Sequence, residues 1–203
     1  MTAEEVTSVT DEFRYSKCDM NSNHVPMLGF LVSYKTLNGM PTSNRRYPKF
    51  SDIPDLMRRS DAFNMVHYNS KDMTDLSGQV SRIFKEIPGL CNALQLNIPW
   101  PWPYQVEKIK DAFPDMQIVF QMSSKMIEGM PPAALAQNLK FYKDSISYVL
   151  IDPSGGRGKP FDIDNSIDIY SEIRSGFPNL VVGFAGGFTG SNVTERVETI
   201  IQR

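Results

Sequence analysis

Six times along the chain a short run of apolar and β-branched residues gives way to a segment with helical periodicity. This alternation limits the fold more than any other feature. The runs are residues 27–34, 63–68, 92–98, 117–122, 147–152 and 180–185; the helical segments start near Ser51 and continue at 74–85, 104–113, 132–142, 164–174 and 191–201. Ser51 is placed to cap the first helix, and Pro54 is tolerated in its first turn. Strands that alternate with helices are joined by crossovers, so they pair in parallel with helices outside. Regular units of roughly 25–35 residues favour an α/β fold of the (β/α)8 barrel type over an open doubly wound sheet. The expected domain spans 27–203. Residues 1–26 form a weakly patterned N-terminal segment, in which 12–18 alternate as a first strand would. Six units are clear where eight are needed, and after Gly187 one helix remains before Arg203. An edge of the sheet is therefore expected to lie open. Three readings account for it: a truncated chain, an open barrel, or a homodimer in which a second copy covers the edge.

Composition narrows the partners. A chain of 203 residues fits one domain able to bury most of its surface. A net charge of −2 gives no reason to expect nucleic acid or a membrane surface. Cys18 and Cys91 form neither a disulfide framework nor a C-x-x-C pair, which fits a reducing cytoplasmic setting. No apolar run reaches membrane-spanning length, and Met1-Thr-Ala-Glu-Glu lacks the basic and apolar parts of a signal peptide. No His/Cys/Asp cluster has metal-ligand spacing, so no metal or other cofactor is expected.

Two strand ends carry the residues suited to chemistry. The run 148–152 ends in Asp152 and opens into Gly155-Gly-Arg-Gly-Lys159; the run 180–185 ends in Gly186-Gly187 ahead of a helix. Ligands of βα-repeat proteins sit at the carboxyl ends of the strands. A Gly-Gly there leaves backbone N–H groups able to approach a phosphate at a helix N-terminus. The 155–159 loop lacks the Walker spacing and reads as a loop beside the site, with Arg157 or Lys159 attracting anions. Pro99-Trp-Pro-Trp-Pro103 follows another strand end. It suits either an aromatic wall over a ligand ring or a rigid cap on the rim.

Several short stretches, in order, resemble one family. They are Leu28-Gly-Phe30, Asn44-Arg-Arg-Tyr47, Met65-Val-His-Tyr-Asn69 and Ala93-Leu-Gln-Leu-Asn97. They continue with Leu150-Ile-Asp152, Gly155 to Lys159, Phe161-Asp162, Phe184-Ala-Gly-Gly187 and Asn192-Val193. Together they are similar to phosphoribosylanthranilate isomerase, the (β/α)8 enzyme of tryptophan biosynthesis. The resemblance implies an Amadori rearrangement, in which a phosphorylated aminoaldose becomes an aminoketose and no cofactor is used. An acid protonates the ring oxygen and a base removes the C2′ proton. It further implies Asp152 as acid, Cys18 as base, and Arg46 as the holder of a substrate carboxylate, with Arg45 as its alternate. Gln95, Gly155, Gly156, Gly186 and Gly187 would line the phosphosugar. Lys17-Cys18-Asp19 matches the family's base motif only in part, Asn97 stands where the family has histidine, and His67 is a second candidate base. Two functions follow: an aldose–ketose isomerase, or a non-catalytic phosphosugar-binding or regulatory barrel of the same descent.

Overall fold

The computed structural model describes residues 3–15, 26–60, 62–154 and 161–203. In chain order the elements are α1 (Ala3–Tyr15), β1 (Met27–Ser33), α2 (Tyr34–Leu37), a 3-10 turn at Phe50–Asp52, α3 (Ile53–Arg58), β2 (Phe63–Asn69), α4 (Leu76–Glu86), β3 (Ala93–Leu96), α5 (Pro103–Ala112), β4 (Gln117–Ser123), α6 (Ser124–Ile127), α7 (Pro132–Leu139), β5 (Tyr148–Asp152), α8 (Ile163–Gly176), β6 (Val181–Phe184) and α9 (Val193–Ile201). The six strands form one sheet in the order β1-β2-β3-β4-β5-β6. A doubly wound sheet reverses its strand order at a switch point. This one does not, so its winding is that of a (β/α)8-type barrel that is open, with six strands among the described residues.

The chain divides into two compact units, Met1–Leu96 with Lys108–Gln117, and Asn97–Glu107 with Ile118–Arg203. In the first, β1, β2 and β3 pair in parallel, with Phe30 opposite Val66 and Val66 opposite Leu94. Period-two alternation puts Phe30, Val32, Val66, Tyr68, Leu94 and Leu96 on one face, where all are essentially inaccessible. Helix α4 supplies Leu76, Val80, Ile83 and Phe84, a stripe at helical spacing, all buried. The Asp75 side chain caps it by accepting from Gly78 N–H at 3.2 Å.

In the second unit β4, β5 and β6 are parallel, with Gln121 opposite Leu150 and Leu150 opposite Gly183. Phe184 of β6 touches the rings of Phe161 and of Tyr170 in α8. Ile151 is its register partner, so Ile151 and Val149 face the helices and are buried, as are Phe120 and Met122. Asp162 caps α8 by accepting from Asn165 N–H at 3.2 Å. At its far end Arg174 donates to the carbonyls of Pro178 and Leu180, tying the helix to the turn before β6.

Two expectations need correction, and an alternative left open for residues 99–103 is decided. Residues 12–15 are helical, the end of α1, and not part of a strand; 16–18 lie outside the described residues. Earlier in α1 the Thr10 hydroxyl bonds back to Val6 O and Thr7 O, letting a polar residue occupy a buried helical position. Ser51 lies inside the 3-10 turn and does not cap α3, whose N-cap position is Asp52. Trp100, at φ +46, packs on Phe120 and on Tyr142, whose hydroxyl donates to Pro101 O at 2.6 Å. Phe120 belongs to the helix-facing layer, so Trp100 is a rim plug and not a ligand wall. Trp102 is exposed and stacks on Tyr104.

Candidate functional site

Strand β5 ends with its polar residue on the face away from the helices. Val149 and Ile151 point into the apolar layer, which turns Leu150 and Asp152 the other way. By register Gln121 and Ser123 of β4 share that opposite face, with Ser123 directly across from Asp152. A carboxylate held at 8% exposure has to be hydrogen-bonded. Gln121 Nε2 donates to Oδ2 at 2.7 Å, and Ser154 Oγ donates to Oδ1 at 2.9 Å. Gln121 and Ser154 are themselves buried. Asp152 is thus no helix cap; that role belongs to Asp162.

Gly186 closes against this carboxylate. A Cβ at position 186 would stand 2.3 Å from Asp152 Oδ1 and 2.2 Å from Ser154 Oγ, and the backbone there has φ +89. Both conditions require glycine. Gly187 follows at φ +70, and its carbonyl accepts from Arg196 Nη1 at 2.7 Å and Asn192 Nδ2 at 3.1 Å. Asn192, the N-cap of α9, also takes Thr189 N–H on its side-chain oxygen. The Gly186 and Gly187 N–H groups have no backbone acceptor among the described residues. This strand-to-helix turn therefore places glycine amides, a helix start and the Arg196 guanidinium together, an arrangement that favours an anion. Ser123 Oγ is buried without a hydrogen-bond partner among the described residues. Such an orphan hydroxyl is a ready contact for a ligand or for water.

The sequence-predicted residues divide as follows. The structure brings together Asp152, Gly186 and Gly187. Arg46 and Gln95 belong to the first unit. Arg46 is exposed in a turn, its N–H donating to Asn44 Oδ1 at 3.0 Å, whereas Gln95 is buried in β3 opposite His67. Cys18, Gly155 and Gly156 lie outside the described residues. Gln121, Ser123 and Ser154 escaped the sequence reading. Glutamine and serine within and just after apolar runs were the available signal, but only the folded sheet, in which Gln121 lies opposite Leu150 on the face that carries Asp152, brings its Nε2 to the carboxylate.

Strand order, the acid at the end of β5 and the glycine turn after β6 can be set beside solved structures. Phosphoribosylanthranilate isomerase from Thermococcus kodakaraensis matches with a TM-score of 0.55 at 16% identity, over 86% of this chain and 74% of that one. The fold is that of the phosphoribosylanthranilate isomerases. A monomeric form generated from the dimeric Thermotoga maritima isomerase gives a TM-score of 0.57 at 13% identity, over 86% of this chain and 71% of that one. No protein-family model matches the chain, and no curated protein matches it in sequence. Among the described residues no helix is long and apolar enough to cross a membrane. Nor do any of them form a group of three or more His, Cys, Asp or Glu side chains fit to hold a metal ion.

Proposed function

We propose that this protein is an aldose–ketose isomerase acting on a phosphorylated aminosugar, with Asp152 as its general acid. The observation that carries the reading is the contact between a buried carboxylate and the glycine turn, Asp152 against Gly186. An acid beside an anion cradle is what phosphosugar ring opening requires. The phosphate takes the Gly186 and Gly187 amides and the start of α9, with Arg196 adding positive charge. Asp152 gives its proton to the furanose ring oxygen. The C1–O bond breaks, the nitrogen lone pair forms the C1=N bond, and Asp152 is left as carboxylate. Removal of the C2 proton then yields the enolamine, which becomes the ketose. Cys18 is the proposed base, Arg46 the proposed holder of a substrate carboxylate, and Gln95, Gly155 and Gly156 further lining. Ser123 Oγ offers a hydrogen bond to a sugar hydroxyl.

The test follows an N-phosphoribosyl arylamine to its aminoketose by NMR, with ligand binding measured by calorimetry. Wild-type turnover, its loss in Asp152→Asn and retained phosphosugar binding in that variant support the reading. Tight binding with no wild-type turnover points instead to the non-catalytic barrel. Absence of both overturns the two readings together.

A further inference from the structure

We infer that Ser123 sets which sugar the site accepts, its hydroxyl bonding the C2 hydroxyl of a pentose 5-phosphate and selecting against the 2-deoxy sugar; this rests on the phosphosugar reading above. One local device occurs at two strand ends. Strands β1 and β4 each finish in a serine, Ser33 or Ser123, followed directly by a one-turn helix whose N-cap position that serine holds in extended backbone. Serine suits an N-cap because its oxygen accepts an otherwise unpaired backbone N–H. Ser33 does this. Its Oγ accepts from Thr36 N–H at 3.2 Å, and its own N–H donates to Thr36 Oγ1 at 2.9 Å, a closed capping box. Three residues beyond Ser123 stands Met126, which cannot return the bond. Ser123 makes no capping bond, and its Oγ is buried with no partner among the described residues. A buried hydroxyl left unpaired is destabilising, so capping does not account for serine at this position. A ligand that completes the bond does.

Position across the sheet selects the group it meets. Ser123 and Asp152 are register partners on the face turned away from the helices, and Gly186 closes against Asp152 from the end of the next strand. Neighbouring strands lie about 4.8 Å apart, so Ser123, Asp152 and the glycine turn follow one another across about 10 Å. A pentose 5-phosphate presents its groups in one order along such a length: the phosphate on C5, the ring oxygen beside C4, then C1 and C2. With the phosphate on the Gly186 and Gly187 amides and the ring oxygen at Asp152, the C2 hydroxyl arrives at Ser123. The C3 hydroxyl lies back on the phosphate side of the ring. Ser123 as a whole is only part-buried, and a step between staggered χ1 rotamers re-aims its hydroxyl. A serine hydroxyl both donates and accepts, which matches a sugar hydroxyl in either sense. A 2-deoxy sugar would leave Oγ as unpaired as it is in the free chain.

The test is binding calorimetry on the full chain, with ribose 5-phosphate and 2-deoxyribose 5-phosphate as probes and Ser123→Ala as the variant. The wild type should bind the ribose compound roughly 3- to 30-fold more tightly. In Ser123→Ala the two affinities should converge to within about 2-fold, the loss falling on ribose 5-phosphate alone. Thermal unfolding without ligand is the second readout. Removing an unpaired hydroxyl should leave Tm unchanged or raise it by up to about 4 °C, whereas a serine that holds the framework together would lower it. Equal wild-type affinities for the two sugars overturn the role of Ser123 and leave the phosphosugar site standing. A preference that survives in Ser123→Ala assigns the C2 contact to another residue and overturns it as well. A Tm lowered by more than about 4 °C shows that the hydroxyl already has a partner in the folded chain, with the same consequence. Binding of neither sugar removes the phosphosugar reading and the selectivity with it.

Discussion

Replacing Gly186 by alanine separates two costs that the site combines. The first is conformational: at φ +89 an L-residue with a Cβ is strained by about 1–2 kcal/mol. The second is steric. The new methyl would lie 2.3 Å from Asp152 Oδ1 and 2.2 Å from Ser154 Oγ, where ordinary contact begins near 3.4 Å. Two buried, hydrogen-bonded groups would have to retreat by about 1 Å, an overpacking cost of about 1–3 kcal/mol. The sum is about 2–5 kcal/mol. For a chain of this size that lowers Tm by roughly 5–20 °C. Gly39 is the internal control, with φ +67 and nothing within 4 Å of the point where a Cβ would stand. Gly39→Ala should therefore show the conformational cost alone, about 1–2 kcal/mol. Thermal and urea unfolding of the two variants measure the difference directly. Equal losses in Gly186→Ala and Gly39→Ala would refute the close approach of the turn to Asp152 and Ser154.

Two further outcomes follow from buried ionisable groups. Burial pushes the Tyr68 hydroxyl, which donates to Gln79 Oε1 at 2.7 Å, up to about 12, and does the same to Tyr142. Both phenols stay neutral in the folded chain while the unfolded chain ionises near 10, so their contribution is complete below pH 10 and is lost as pH rises toward 12. Tm should fall across that window, and Tyr68→Phe should flatten the fall; a flat wild-type profile would contradict the burial. Burial also raises the Cys91 thiol, whose Sγ donates to the carbonyls of Asn64 and Ala93. Iodoacetamide should label Cys91 only on unfolding, and rapid labelling at neutral pH in the native protein would show that its strand end opens.

The fold was legible where burial is one-sided and periodic. Phe30 and Val32, or Val149 and Ile151, announce strands because alternate residues enter the same apolar layer. Helix α1 was not legible. Its buried positions include Thr10, and a threonine-containing stripe does not read as a core face until the hydroxyl is seen bonded to the preceding turn. The one-turn helices α2 and α6 were hidden too, each beginning directly after the serine that ends a strand, Ser33 or Ser123, which sits at its N-cap position. Of the site, Asp152 and the paired glycines stood out as an acid and a backbone singularity at strand ends. The reason for Gly186 did not. It is the nearness of a carboxylate 34 positions earlier in the chain, a distance that only strand pairing closes. Gln121 was invisible for the same reason, since nothing local distinguishes it from any other glutamine in a strand.

The two faces of β5 assign stability and chemistry to neighbouring residues, and adjacent substitutions should reveal it. Ile151 is wholly buried in the helix-facing layer, so Ile151→Ala should cost about 2–5 kcal/mol and lower Tm by roughly 5–20 °C. Asp152→Asn is a different kind of change. The amide oxygen can face Gln121 Nε2, and the amide N–H can face Ser154 Oγ. Both of these hydrogen bonds survive, so the substitution should alter stability by no more than about 1 kcal/mol. It should still remove turnover, because an amide proton cannot be delivered to the ring oxygen. A crystal structure of Asp152→Asn tests the orientation: its side-chain nitrogen belongs beside Ser154 and its oxygen beside Gln121. If the variant instead unfolds as readily as Ile151→Ala, the carboxylate is part of the framework, and the separation of the two faces into scaffold and site is wrong.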